Sequence, residues 1–160
     1  MQFTRLKFRG RSVLAIAGAV FGLSTLAVAP AAHATSDTFL VETDDANACG
    51  GAWFIDYGAG APGGGSNDDY IEIDDYCRDG HGVKAWAWLT RNGTTHYLGS
   101  AYDSNGDIRH NNPPKIWDPF QSYGNVVAHD LVGVKVCLVD GNDDPTPSHC
   151  VSVTNESADG

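Results

Sequence analysis

The sequence predicts an all-β fold: a small antiparallel β-sandwich, immunoglobulin-like in class and held by two disulfides. Three observations predict it. Short runs rich in β-branched and aromatic residues recur between clusters of Gly, Pro, Asn and Asp, and the chain beyond residue 34 shows no helical period. Asn92-Gly93 separates two such runs, and both central residues of a type I′ turn need positive φ, which Asn and Gly tolerate best. Finally, four cysteines follow residue 34, an even number that can pair completely.

The hairpin over residues 82–102 (GVKAWAWLTRNGTTHYLGSAY) is the element around which the chain is organised. With Asn92 and Gly93 as the loop, Arg91 faces Thr94, Thr90 faces Thr95, Leu89 faces His96, Trp88 faces Tyr97, Ala87 faces Leu98 and Trp86 faces Gly99. One face then carries Trp86, Trp88, Thr90, Thr95 and Tyr97, and the other Val83, Ala85, Ala87, Leu89 and Leu98. Two largely apolar faces place the ribbon in the middle of the sandwich, with its tryptophans read as packing residues.

From the N-terminus, Arg5, Lys7, Arg9 and Arg11 form a basic region, an apolar run follows over 13–28, and Pro30 precedes Ala32-His33-Ala34. This pattern predicts a secretory signal peptide over 1–34, cleaved after Ala34. The apolar run approaches the length of a membrane anchor, but its small residues and the Ala-x-Ala signature favour cleavage. The expected location is therefore extracellular, with no membrane contact in the mature form. Four of the ten basic residues and none of the twenty acidic ones lie in the leader, leaving six against twenty and a formal charge of −14. Such a chain repels nucleic acid.

Residues 35–48 form an extended acidic segment with one β-like run at 38–43, read as a first strand or as a tail that orders on binding. The sandwich proper is expected over 49–155. Residues 51–57 (GAWFIDY) read as a strand, 58–69 (GAGAPGGGSNDD) as a loop, and 70–76 (YIEIDDY) as a half-buried strand of alternating pattern. After the hairpin, 103–107 repeats the Asn-Gly turn signal, and 109–119 reads as irregular because Pro113, Pro114 and Pro119 interrupt it. Strands are expected at 125–129, 131–140 and 150–155, with a flexible tail at 156–160. The fragment Gly82-Val83-Lys84 is echoed by Gly133-Val134-Lys135, compatible with equivalent strands in the two sheets.

Cys49, Cys77, Cys137 and Cys150 allow three pairings. The preferred one is Cys49–Cys77 with Cys137–Cys150, because a short hairpin brings the last two together. No pair has zinc-finger spacing.

The sequence has no H-E-x-x-H, G-x-S-x-G or P-loop motif. His129-Asp130 is a chance-level pair, and Glu72 and Asp74, roughly 7 Å apart on one strand face, read as two exposed acids. No catalytic residue is therefore assigned. Asp103, Asn105 and Asp107, and likewise Asp140, Asn142 and Asp144, place oxygens at alternate positions as calcium loops do, but neither completes the EF-hand pattern. Asx turns account for both without a metal, so no cofactor is expected, calcium being the one candidate. Aromatics are abundant, and an exposed subset would stack on sugar rings or anchor a protein. The Pro-rich segment supplies Ile116, Trp117 and Phe120, and the N-terminal run Phe39 and Val41.

The segments CGGAWFIDYG at 49–58, GVKAWAWL at 82–89, WDPF at 117–120 and VKVCLVDG at 134–141 resemble small secreted proteins of filamentous actinobacteria that are generally left uncharacterised. The resemblance covers most of the chain after residue 48. It implies export and a compact disulfide-bonded domain, and carries no catalytic residues. In size, export and the unstructured-looking 35–48, the chain is also similar to the adaptor subunit of the secreted umbrella toxin particles of the same bacteria, which implies docking through the N-terminal segment, with 38–43 adding as a strand to a partner. The expectation is thus a secreted, non-catalytic protein that binds a secreted or cell-surface protein; the alternatives are that adaptor, and a hydrolase or enzyme inhibitor.

Overall fold

A computed structural model describes residues 37–56, 69–107 and 112–158. The leader predicted at 1–34, nearly all of the glycine-rich loop, and the last two residues of the tail lie outside them. The eight strands are β1 (Phe39–Glu42), β2 (Gly50–Ile55), β3 (Tyr70–Asp75), β4 (Gly82–Arg91), β5 (Thr94–Asp103), β6 (Lys115–Trp117), β7 (Leu131–Val139) and β8 (Ser148–Glu156). They form two antiparallel sheets, ordered β1-β2-β3-β6 and β5-β4-β7-β8, called here the first and second sheets.

Alternation along each strand decides what the two sheets bury. Val41, Ala52, Phe54, Ile71 and Ile73 of the first sheet form one core with Val83, Ala85, Ala87, Leu89, Val132, Val134 and Val136 of the second. Phe120 closes that core, edge-on to Phe54 at 5.6 Å between centroids. The fold is the all-β sandwich expected. Both preferred disulfides are present, Cys49–Cys77 tying the ends of β2 and β3, and Cys137–Cys150 joining β7 to β8.

The hairpin turns at Asn92 and Gly93, both with positive φ (52° and 74°), as a type I′ turn requires. Its register agrees with the sequence reading as far as Trp88↔Tyr97 and then shifts at a bulge: Ala87 faces Gly99 and Trp86 faces Ser100. Leu98 is the extra residue, and Gly99, at φ 109°, accommodates the kink. β4 is central, but β5 is an edge.

Four further expectations are corrected. The boundary at residue 49 moves: Phe39–Glu42 pairs with β2, as the first-strand reading of 38–43 has it, so the acidic segment contributes the edge strand of the sandwich. Lys115–Trp117 pairs with β3 despite the neighbouring prolines, since an edge strand of three residues needs few ladder hydrogen bonds. The strand expected at 125–129 is instead a turn segment. β4 and β7, which carry the echoed fragments, are neighbours in one sheet.

Arg91 fixes that turn segment. Its Nε donates to both carboxylate oxygens of Asp130, Nη2 donates to Asp130 Oδ2 at 2.5 Å and to the Asn125 carbonyl at 2.7 Å, and Nη1 donates to the Tyr123 carbonyl at 2.9 Å. The Val127 N–H adds a donor to Asp130, and the Val126 N–H donates to Asp69. Side-chain hydrogen bonds here replace the ladder that a strand would have supplied.

Candidate functional site

Two places gather chemistry-bearing side chains: the outer face of the second sheet, and a cleft at the end of the sandwich where β3 and β5 finish.

On the outer face, alternation turns Lys84, Trp86, Trp88 and Thr90 of β4 away from the core, beside Thr95, Tyr97, Ser100 and Tyr102 of β5. Gly133, Lys135, Ser152 and Thr154 continue the same face across β7 and β8. No strand of the described residues covers it. Tyr97 is 58% exposed and stands 5.7 Å from Trp88 between ring centroids. Trp88 lies against Gly133, where a Cβ would sit 3.6 Å from its own. The Lys84 and Lys135 ammonium groups approach the Trp86 ring at 5.4 and 5.1 Å, a cation–π clamp. Tyr102 crosses Gly82 so closely that a Cβ there would be 2.6 Å from the ring. The result is a strip of four aromatic rings running along β4 for about 20 Å, at ~3.3 Å per residue from Gly82 to Trp88.

The cleft, of about 360 Å³, is lined by Asp75, Arg78, His81, Tyr102, Asp103 and Asp107 among others. Asp75, Asp103 and Asp107 are 5%, 1% and 6% exposed, which is unusual for carboxylates. Asp75 Oδ1 accepts the Cys77 N–H at 3.0 Å, and Asp103 Oδ1 accepts the Asn105 N–H at 2.8 Å. Asp103 Oδ2 is buried and meets no donor in hydrogen-bonding geometry. Arg78 Nε stands 3.8 Å from Asp107 Oδ2, its side chain largely in solvent. Burial pushes Asp75 up to about 6, the Cys77 N–H holds it back, and the charges of Asp79, Asp103 and Asp107 raise it further. Burial likewise raises Asp103, against the N–H groups of Asn105 and Asp75 and the charge of Lys115.

No protein-family model, no curated protein and no solved structure matches this chain. The site therefore rests on its own geometry.

Of the binding residues expected from sequence, Val41 and Phe120 are core residues at 1% and 0% exposure, so neither offers surface to a partner. Phe39 is half-buried against Phe54, and Trp117 packs on the core from β6. Ile116 is half-buried opposite Glu72. These five do not form one patch, because the segments that carry them are edge strands and a core plug rather than free loops. The tryptophans read as packing residues, by contrast, face outward.

The two calcium-like loops separate. Asp140, Asn142 and Asp144 lie in a solvent-exposed or half-exposed turn in which Asp144 accepts the N–H groups of Asp140 and Thr146, which lower its pKa. Asp140 also pairs with His81 at 2.8 Å. That loop is an Asx turn. The loop carrying Asp103 and Asp107 is buried at those two residues.

The remaining acid and histidine pairs are engaged elsewhere. Asp130 holds Arg91, while His129 bonds Glu156 at 2.7 Å, so this sequence pair is no dyad. Asp74 is 2% exposed, a correction to its reading as a wet-face acid. Burial and then the neighbouring Glu72 charge push it up to about 6, while the Tyr76 hydroxyl donates to its Oδ2 at 3.2 Å. Tyr76, itself pushed up to about 12 by burial and then by Asp74, lies across Gly51 and covers that carboxyl. No helix among the described residues is long and apolar enough to cross a membrane. Two disulfides fit an oxidising compartment.

Proposed function

We propose that this chain is an exported, non-catalytic binding protein that takes a polysaccharide along the outer face of its second sheet. The observation that carries this reading is the uncovered strip of Trp86, Trp88, Tyr97 and Tyr102. Flat sugar faces stack on such rings through their C–H groups, and their hydroxyls need polar partners beside the stack. Those partners are present: Thr90, Thr95, Ser100, Ser152 and Thr154 flank the rings, and the Thr90 and Thr95 hydroxyls already bond each other at 2.8 Å. Aliphatic side chains, the usual filling of a protein–protein interface core, are missing from these central positions. Lys84 and Lys135 also make the face basic within an acidic protein, which favours a polymer bearing hydroxyl or anionic groups. Export rests on the leader at 1–34.

The test is retention of the mature chain on insoluble cell-wall polysaccharides and in affinity gels containing soluble neutral or acidic ones. Trp88→Ala and Tyr97→Ala are expected to weaken retention about tenfold each, in line with the ~1–3 kcal/mol that a stacked ring contributes elsewhere, with melting temperature nearly unchanged for Tyr97→Ala. Retention unaffected by both substitutions sinks the assignment of this face. Absence of any polysaccharide binding, with a secreted protein cross-linking through the same face, overturns the ligand class.

A further inference from the structure

The outer face of the second sheet changes character along β4. Around Trp88 and Tyr97 it is uncharged: Thr154 lies across Gly133 from Trp88, and Thr90 and Thr95 form the next pair. Two residues back along β4, the row across the sheet reads Ser100, Trp86, Lys135 and Ser152, with Lys84 one step beyond on the same face. Both ammonium groups lie over the one indole, at 5.4 and 5.1 Å from its centroid. Two cations sharing a ring repel each other, and the chain carries twenty acids, yet among the described residues neither lysine forms an ion pair. Lys84 Nζ donates instead to the Asn142 carbonyl at 2.6 Å, which fixes its place. The acids of that turn are engaged within it or by His81: Asp140 bonds His81, Asp143 accepts the Asn142 side-chain amide, and Asp144 accepts the N–H groups of Asp140 and Thr146. At the far end of the face the charge is negative, where Glu156 stands opposite Leu131 and bonds His129 at 2.7 Å.

We infer, resting on the reading of this face as a polysaccharide platform, that its ligand is an acidic polysaccharide. A sugar bearing a carboxylate sits at Trp86 with its anion shared by Lys84 and Lys135, and the neighbouring sugar stacks on Trp88 and Tyr97. Trp86 and Trp88 are about 7 Å apart along the strand, close enough for consecutive sugars of one chain. The two halves of the strip divide the work. At Trp86 the ring is already attended by two cations, so a ligand meets charge there. At Trp88 and Tyr97 it meets aromatic surface and hydroxyls. The rings also select what carries the anion. An ammonium is a point charge that takes carboxylate or phosphate alike. A polyol-phosphate chain has no flat face to lay on Trp88 and Tyr97, whereas a uronic acid holds its carboxylate beside a pyranose ring. The acidic end at Glu156 sets the direction, placing the anionic sugar toward Gly82 and away from Arg91.

Calorimetric titration of the mature chain with polygalacturonate and with its fully methyl-esterified form tests this, because the two share a backbone and differ in charge. The acid should be held about tenfold more tightly than the ester at low salt, as two exposed charge contacts allow, and the difference should shrink as salt rises. Lys135→Gln brings acid and ester to nearly equal affinity, while Lys135→Arg, which keeps the charge, preserves the preference. Trp88→Ala weakens both forms by about the same factor, roughly tenfold. Acid and ester held equally by the wild type overturn the inference and leave the polysaccharide platform standing. So do neutral polysaccharides bound when polygalacturonate is not, a preference that survives Lys84→Gln combined with Lys135→Gln, or polyglycerol phosphate bound more tightly than polygalacturonate. No polysaccharide bound at all fails the platform and this inference together.

Discussion

β4 connects two ends of the sandwich that handle buried acid in opposite ways. At its C-terminal end, Asp130 is 3% exposed and receives Arg91 through three N–H contacts, plus the Val127 N–H. At its N-terminal end, Asp75, Asp103 and Asp107 are equally enclosed, and Arg78 stands 3.8 Å from one of them while pointing into solvent. One end thus holds a single carboxylate against a closely fitted guanidinium, while the other gathers three carboxylates whose nearest cations, Arg78 and Lys115, act from further off or from solvent. Removal of charge should therefore have opposite signs at the two ends.

The largest effect is expected at the closed end. Arg91→Met leaves Asp130 enclosed without its cation and frees the carbonyls of Tyr123 and Asn125. Breaking a buried pair in this way costs about 3–5 kcal/mol, read as a lower urea midpoint. The double variant Arg91→Met with Asp130→Leu should recover a large part of the loss, because it also removes the orphaned charge. A single substitution costing under about 1 kcal/mol would show that the pair behaves as an exposed one, and would break the comparison.

Acid pH should probe the open end. Asp75, and Asp74 on the other face of β3, have carboxyls pushed up to about 6 from an ordinary value near 3.8. The folded chain therefore binds protons more tightly than the unfolded one. The resulting stability is fully present below about pH 3.8 and is lost as pH rises through about 6, a penalty of up to about 3 kcal/mol for each group at 1.36 kcal/mol per unit. Urea melts of metal-free protein between pH 4 and pH 7 should show stability falling with rising pH over that window, against the trend of ordinary paired carboxylates. Asp75→Asn and Asp74→Asn should each flatten the fall. A profile that rises through the window would show that these acids find cations in the folded state.

The fold was legible because its signals are local. Asn92-Gly93 specified the turn, and period-two alternation specified β3 and β4. Even the preferred Cys137–Cys150 bridge followed from hairpin proximity, which leaves Cys49 and Cys77 to each other. The outer face was not legible for a reason of degree: Trp86 and Trp88 alternate with Ala85 and Ala87, both sets are apolar, and periodicity cannot say which one meets the other sheet. Small alanines against Phe54 and Ile73 settled it. The bulge at Leu98 left no trace beyond Gly99, and β6 was hidden by its prolines because edge strands have weak local signatures. The two acidic loops look alike in sequence. What separates them is that Asp103 is itself the last, inward-facing position of β5, opposite the core residue Val83, while Asp140 lies just past the end of β7 and is exposed, a difference of burial that spacing does not encode.

The smallest predicted effect is the most discriminating, because it has the unusual sign. Asp103→Asn keeps the shape of the side chain and an oxygen to accept the Asn105 N–H, while deleting a charge whose second oxygen has no donor. Repulsion on Asp75 also eases, since the Asp103 charge is one of those that raise the Asp75 carboxyl. Replacing a group at the end of a core strand ordinarily destabilises by about 1 kcal/mol. Here, in chelator at pH 7 to 8, the variant should instead match or exceed wild type by about 1 kcal/mol, because the uncompensated charge has gone. Thermal melts of both proteins in chelator give the comparison. A variant less stable than wild type in chelator would mean that Asp103 already has its counter-charge from the chain, and the contrast between the two ends of β4 would disappear.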